Sequence, residues 1–101
     1  MILYNVTIGV DQDIEGEWLQ WIKAKHIPDV METGMFIEYK IFKVLSQENE
    51  GSVSYSIQYF AETVDNVVKY LDEYAPPIIE EHRKRYREKH VAFRTLLEEV
   101  S

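Results

Sequence analysis

Apolar and polar side chains alternate from the start of the chain. Ile2, Tyr4, Val6, Ile8 and Val10 fall on one side, and Leu3, Asn5, Thr7 and Gly9 on the other. Period two with aromatic and β-branched residues predicts a strand with one strongly apolar face. The spacing then changes. Ile14, Trp18, Trp21, Ile22 and Lys25 recur at helical intervals, with Leu19 and His26 flanking the same face, and Asp11 or Asp13 is placed to cap the start. Pro28 should hold Ile27 extended and end or kink this helix near His26, leaving Asp29–Thr33 one further turn before Gly34.

Met35 to Leu45 predicts a second strand, with Met35, Ile37, Tyr39 and Ile41 opposite Phe36, Glu38, Lys40 and Phe42. The polar stretch Ser46–Gly51 reads as a hairpin-type connection to a third strand, whose apolar face is Val53, Tyr55, Ile57 and Tyr59. Thr63 is a good N-cap for a second helix carrying Val64, Val67, Val68, Leu71, Tyr74 and Ala75 on one face. Pro76-Pro77 should split that helix in two, because neither residue donates a hydrogen bond and the chain is expected to turn near Ala75. Ile78, Ile79, His82 and Tyr86 continue a helical face, and Val91 to Glu98 alternates again as a last strand.

The order β-α-β-β-α-β over residues 1–101, without linker or repeat, predicts a single α+β domain of ferredoxin-like type. Its four strands form one antiparallel sheet with the helices on one face. The other sheet face is then expected to carry Leu3, Asn5, Thr7, Phe36, Phe42, Val44, Ser54, Ser56, Gln58, Phe60, Ala92, Arg94 and Leu96. Such a semi-polar surface suits two sheets meeting across a two-fold axis, so the expectation is a homodimer through the face holding Asn5, Gln58 and Arg94.

Composition narrows the function classes. Cysteine is absent from the 101 residues, which rules out disulfides and thiol chemistry and favours a reducing, cytoplasmic setting. Met1 leads straight into the first strand, so no signal peptide is expected, and no apolar run is long enough to span a membrane. With Lys+Arg at 11 and Asp+Glu at 18, the net charge of −7 argues against a nucleic-acid partner. Arg83 to Lys89 is a basic run, but glutamates interleave it at helical spacing, as on a solvated helix face.

Trp18-Leu19-Gln20-Trp21-Ile22, His26-Ile27-Pro28, Thr33-Gly34-Met35-Phe36, Tyr74-Ala75-Pro76 with His82, and Phe93-Arg94-Thr95-Leu96-Leu97 together resemble a small uncharacterised bacterial family. The resemblance spans nearly the whole chain. That family is similar to the dimeric α/β-barrel superfamily, which includes cofactorless monooxygenases, haem-degrading enzymes, chlorite-dismutase relatives and stress-response proteins. The resemblance implies a dimeric α/β barrel. The Asn-Trp-His pattern of haem-degrading members has no match here.

Candidate chemistry centres on His26 and His82. Each lies beside a proline break, and side-by-side helices could aim both imidazoles into one cleft as general acid and base or as anion ligands. The alternative is that each ring hydrogen-bonds carbonyls freed by the prolines. Trp21, Tyr59 and Tyr74 are candidate ligand-binding residues, or core packing. His90 reads as loop. Two histidines without a third ligand point to no metal site, and no cofactor is expected. Arg94, if turned into the sheet interface, needs a carboxylate such as Glu38 or an anionic ligand. Two functions follow: a small-molecule-binding or cofactor-independent enzyme-like protein with a cleft between helices and sheet, or a non-catalytic homodimeric interaction module.

Overall fold

The computed structural model describes residues 1–46 and 51–101. Strand β1 (Ile2–Asp11) alternates buried and half-buried positions along its whole length, as its sequence pattern requires. With β2 (Glu38–Lys43), β3 (Ser52–Ala61) and β4 (His90–Glu98) it forms a sheet of order β2-β3-β1-β4. Every neighbouring pair is antiparallel, and β1 lies between β3 and β4. The expected connection at Ser46–Gly51 falls mostly on 47–50, outside the described residues.

The first helical run is α1 (Glu15–Trp21), a wide π turn over Ile22–His26, and α2 (Ile27–Met31). The second is α3 (Val64–Lys69), a π turn over Tyr70–Tyr74, and α4 (Ala75–Arg85). Trp18, Ile22, Ile27, Val30, Val67, Tyr70, Ala75 and Tyr86 join Ile2, Tyr4, Val6, Ile8, Ile57 and Tyr59 in one core between helices and sheet. The chain is thus a ferredoxin-like α+β fold.

The prolines do not end the helices as expected. Ile27 has φ −62° and ψ −45°, helical rather than extended. Its N–H reaches five residues back to the Ile22 carbonyl, and Ala75 N–H reaches Tyr70 in the same way. Each π turn therefore ends two residues before a proline. The wider turn relieves the clash that a proline ring makes with the carbonyl four residues earlier. Pro76-Pro77 does interrupt α hydrogen bonding, yet the helical backbone runs on into α4. At the other end, Thr63 caps α3 by accepting the Asn66 N–H at 3.2 Å. Asp11 makes no side-chain cap; its carboxylate and that of Asp13 lie 3.6 and 3.8 Å from Lys89 Nζ instead.

Two further expectations are corrected by the register. Phe36 lies not on the open sheet face but in the core, with its ring 5.0 Å from Tyr70 and 5.3 Å from Tyr59. The turn at Gly34 (φ 77°) breaks the alternation, leaving Ile37 exposed and starting β2 at Glu38. In β4, Ala92, Arg94 and Leu96 stand opposite Ile8, Val6 and Tyr4. Directly opposed residues share a face, so these three point to the helix side. Val91, Phe93, Thr95 and Leu97 take the open face in their place, with Thr7 and Leu3 opposite Phe93 and Leu97.

Candidate functional site

The second helical run delivers His82 into the core beneath α1. His82 is 5% exposed, and the Trp18 indole N–H donates to its Nε2 at 2.9 Å. An indole can only donate, so His82 Nε2 carries no proton and the neutral ring holds its hydrogen on Nδ1. The π turn before Pro28 places His26 with its ring 5.4 Å from that of His82, and Trp21 lies against both, tilted at 5.5 Å from His26 and stacked at 5.8 Å on His82. Arg85 lies over Trp21 at 5.4 Å and covers it from outside. Lys25 pairs with Asp29 and, at 3.6 Å, with Glu81, tying the first helical run to α4 beside the rings.

His90 is part of this group rather than a loop residue. Its ring lies 4.3 Å from that of His82, edge-on, and its Nδ1 donates to the Tyr86 carbonyl at 2.8 Å. All three histidines of the chain therefore meet at one place. Arg94, four residues beyond His90 on the same face of β4, faces the same region and hydrogen-bonds Tyr4. It makes no ion pair with Glu38. Glu38 pairs with Phe60 on the sheet, whose partners Leu3 and Leu97 lie on the opposite face.

These side chains border two spaces. A small cavity of about 20 Å³ lies among Tyr4, His26, Tyr59, Tyr70, His82 and Arg94. A wider, open cleft of about 310 Å³ runs outside it between the end of α4 and β4, along Ile79, His90 and Ala92. His82 and Arg94 border both and form the wall between them. Two buried polar atoms at the inner cavity have no hydrogen-bond partner, His26 Nδ1 and Tyr59 Oη. Buried polar atoms in native folds are nearly always satisfied, so both stand out.

The electrostatics follow from burial and from an excess of cationic neighbours. Burial lowers His26 to about 4, with Arg94 and Lys25 adding to the shift and Asp29 opposing it. Burial lowers His82 to about 3, helped by His90, His26 and Arg94. Both rings are neutral at pH 7. The less depressed ring, His26, protonates first, so His82 titrates against a charged His26 while His26 titrates beside a neutral His82. Burial also raises the phenols of Tyr59 and Tyr70. Among the described residues no three His, Asp or Glu side chains group in a way that could hold a metal ion.

Of the residues singled out from sequence, the structure brings together His26, His82, Trp21 and Tyr59. Tyr74 is half-buried against the core and, among the described residues, is not part of the wall of either space. Sequence reasoning missed His90 and the Trp18 hydrogen bond, and it put Arg94 on the opposite sheet face. The available signal was parity: His90, Ala92 and Arg94 share one face of β4.

None of the curated proteins matches the chain. Solved structures do. A dimeric ferredoxin-like protein from an uncultured marine organism matches with TM-score 0.69 at 14% identity, covering 100% of this chain and 96% of that one. SnoaB, a cofactor-independent oxygenase from Streptomyces nogalater, matches with TM-score 0.64 at 12% identity over 99% and 94%. An ethyl tert-butyl ether d (EthD) family protein from Bacillus halodurans matches with TM-score 0.69 at 8% identity over 99% and 100%. Identities this low carry the fold alone. The family model described as domain of unknown function DUF4286 matches residues 1–100, and the chain belongs to that family.

Proposed function

We propose that this chain is a small-molecule-binding protein whose ligand enters the cleft between α4 and β4 and reaches past His82 and Arg94 toward the inner cavity. The observation that carries the reading is the pair of unpartnered buried atoms, His26 Nδ1 and Tyr59 Oη, at that cavity. A ligand or an ordered water there would satisfy groups that the protein leaves open. The fold supports it, since a cofactor-independent oxygenase is built on the same architecture.

The protonation states favour binding over acid–base catalysis. Rings at about 4 and about 3 are neutral hydrogen-bonding groups at pH 7 and lie well below the range in which a general base works best. His82 is further committed through Trp18. A cofactor-independent enzymatic role would fall to His26, the ring with an open nitrogen.

The interaction-module reading rests on a separate surface. On the open sheet face Phe42, Phe93, Val91 and Leu97 are exposed around a polar centre, in which Ser56 donates to Asn5 at 2.6 Å. That face is proposed to pair with a second copy, as sheet faces do in homodimers. The dimer and the ligand site use opposite sides of the sheet, so the two readings are compatible.

Native mass spectrometry of the protein isolated from its own host tests both. The expected spectrum is a species of twice the 12.0 kDa chain mass carrying a small-molecule adduct that is lost in His82→Gln. Bare monomer in both proteins would count against both parts, and an adduct-free dimer would leave the interaction module.

A further inference from the structure

We propose that the ligand of this cleft carries an anionic group, a carboxylate or a phosphate, that docks on the Arg94 guanidinium between His82 and His90. The inference rests on the small-molecule reading and adds its chemical class. The chain as a whole carries −7, yet the cleft reverses that sign. Three arginines, Arg83, Arg87 and Arg94, line it against the single carboxylate of Glu88. Arg83 is already paired with Glu80 at 3.3 Å. Arg94 has no carboxylate within ion-pair distance among the described residues, and the phenol it does bond, Tyr4, is raised by burial and so stays neutral.

Hydrogen-bond directions favour an acceptor ligand. Arg94 presents a planar fork of N–H donors suited to carboxylate or phosphate oxygens. His82 keeps its one hydrogen on Nδ1, because Trp18 occupies Nε2. His90 is held in place through its Nδ1, which donates to the Tyr86 carbonyl. The cationic neighbours that add to the burial-driven lowering of His26 and His82, Arg94 foremost among those they share, are charges that an anion would neutralise. Ile79 and Ala92 give the cleft an apolar side for the body of such a molecule.

The test compares three probes at one pH and ionic strength, followed by NMR on the imidazole C–H signals of His82 and His90. Benzoate and benzamide have nearly the same shape and differ in charge; inorganic phosphate separates phosphate from carboxylate recognition. Each is titrated to about 10 mM, enough to approach saturation for a Kd near 1 mM. The expected result is binding of benzoate or phosphate about tenfold or more tighter than benzamide. Arg94→Gln should abolish that preference and Arg94→Lys should keep part of it, with the amide spectrum of each variant confirming its fold. The tighter of the two anions names the class. Equal binding of benzoate and benzamide overturns the anion assignment while leaving the small-molecule reading in place. An anion preference that survives Arg94→Gln overturns the docking site, and no response to either anion overturns the proposal as a whole.

Discussion

The protein should lose stability steeply on acidification, and His82→Gln should remove much of that loss. His82 moves from about 6.5 in an unfolded chain to about 3 in the fold, and His26 to about 4. Between those values the unfolded chain binds more protons than the native one. Unfolding free energy therefore rises with pH through the window and falls as pH drops from about 6.5 toward 3. A shift of that size at His82, which is buried but borders the open cleft, corresponds to at most on the order of 5 kcal/mol between pH 7 and pH 3, comparable with the whole stability of many small domains. His26, only half-buried, adds a smaller part. Burial dominates both shifts. The cations around them (His90 and Arg94 for His82, Lys25 and Arg94 for His26) add to it, and Asp29 alone opposes it. Glu15, lowered chiefly by its hydrogen bond from Tyr55 and then by Lys43, loses stability in the same direction. It does so in both proteins, so the difference between them isolates His82. Urea unfolding at several pH values checks it. Parallel pH curves for the two proteins would show that His82 is not the buried neutral ring described. Because His26 titrates first, His26→Gln should raise the midpoint of His82, whereas His82→Gln should move His26 little through charge.

Trp18→Phe is expected to destabilise by about 2–4 kcal/mol, well beyond what a lost patch of apolar surface would give. Trp18 is fully buried, with its ring 5.3 Å from Tyr55, so a smaller ring leaves a void. It also leaves His82 Nε2 buried without its donor, a cost of about 1–3 kcal/mol. The two contributions are separable. The hydrogen bond stabilises the neutral imidazole, so its loss should raise His82 from about 3. In Trp18→Phe, the nitrogen-15 shift of Nε2 should leave the value of a hydrogen-bonded acceptor. A destabilised variant with an unchanged His82 titration would mean that Trp18 serves only as packing.

Where one periodicity dominated, the chain could be read directly. β1 has a strongly apolar series, Thr63 caps through its hydroxyl, and the element order follows from these. Misreadings arose where local rules met tertiary room. Pro28 and Pro76 normally push the preceding residue out of helix, but a π turn before each opens the space they need. β4 has apolar residues in both of its series, so its facing was ambiguous until pairing with β1 set it. That single ambiguity hid His90 and turned Arg94 away from the histidines. His26 and His82 were visible because prolines mark their positions. Their contact depends on how the two helical runs pack, which no local pattern encodes.

The most direct test of the ligand site is an NMR screen of a chemically diverse fragment library, with the three imidazoles and the open sheet face as separate reporters. The account predicts that fragments which bind will shift His26, His82 and His90 together, along with Tyr59 beneath them. Binding confined to the side of Phe42 and Phe93, or none that reaches the imidazoles, would contradict it.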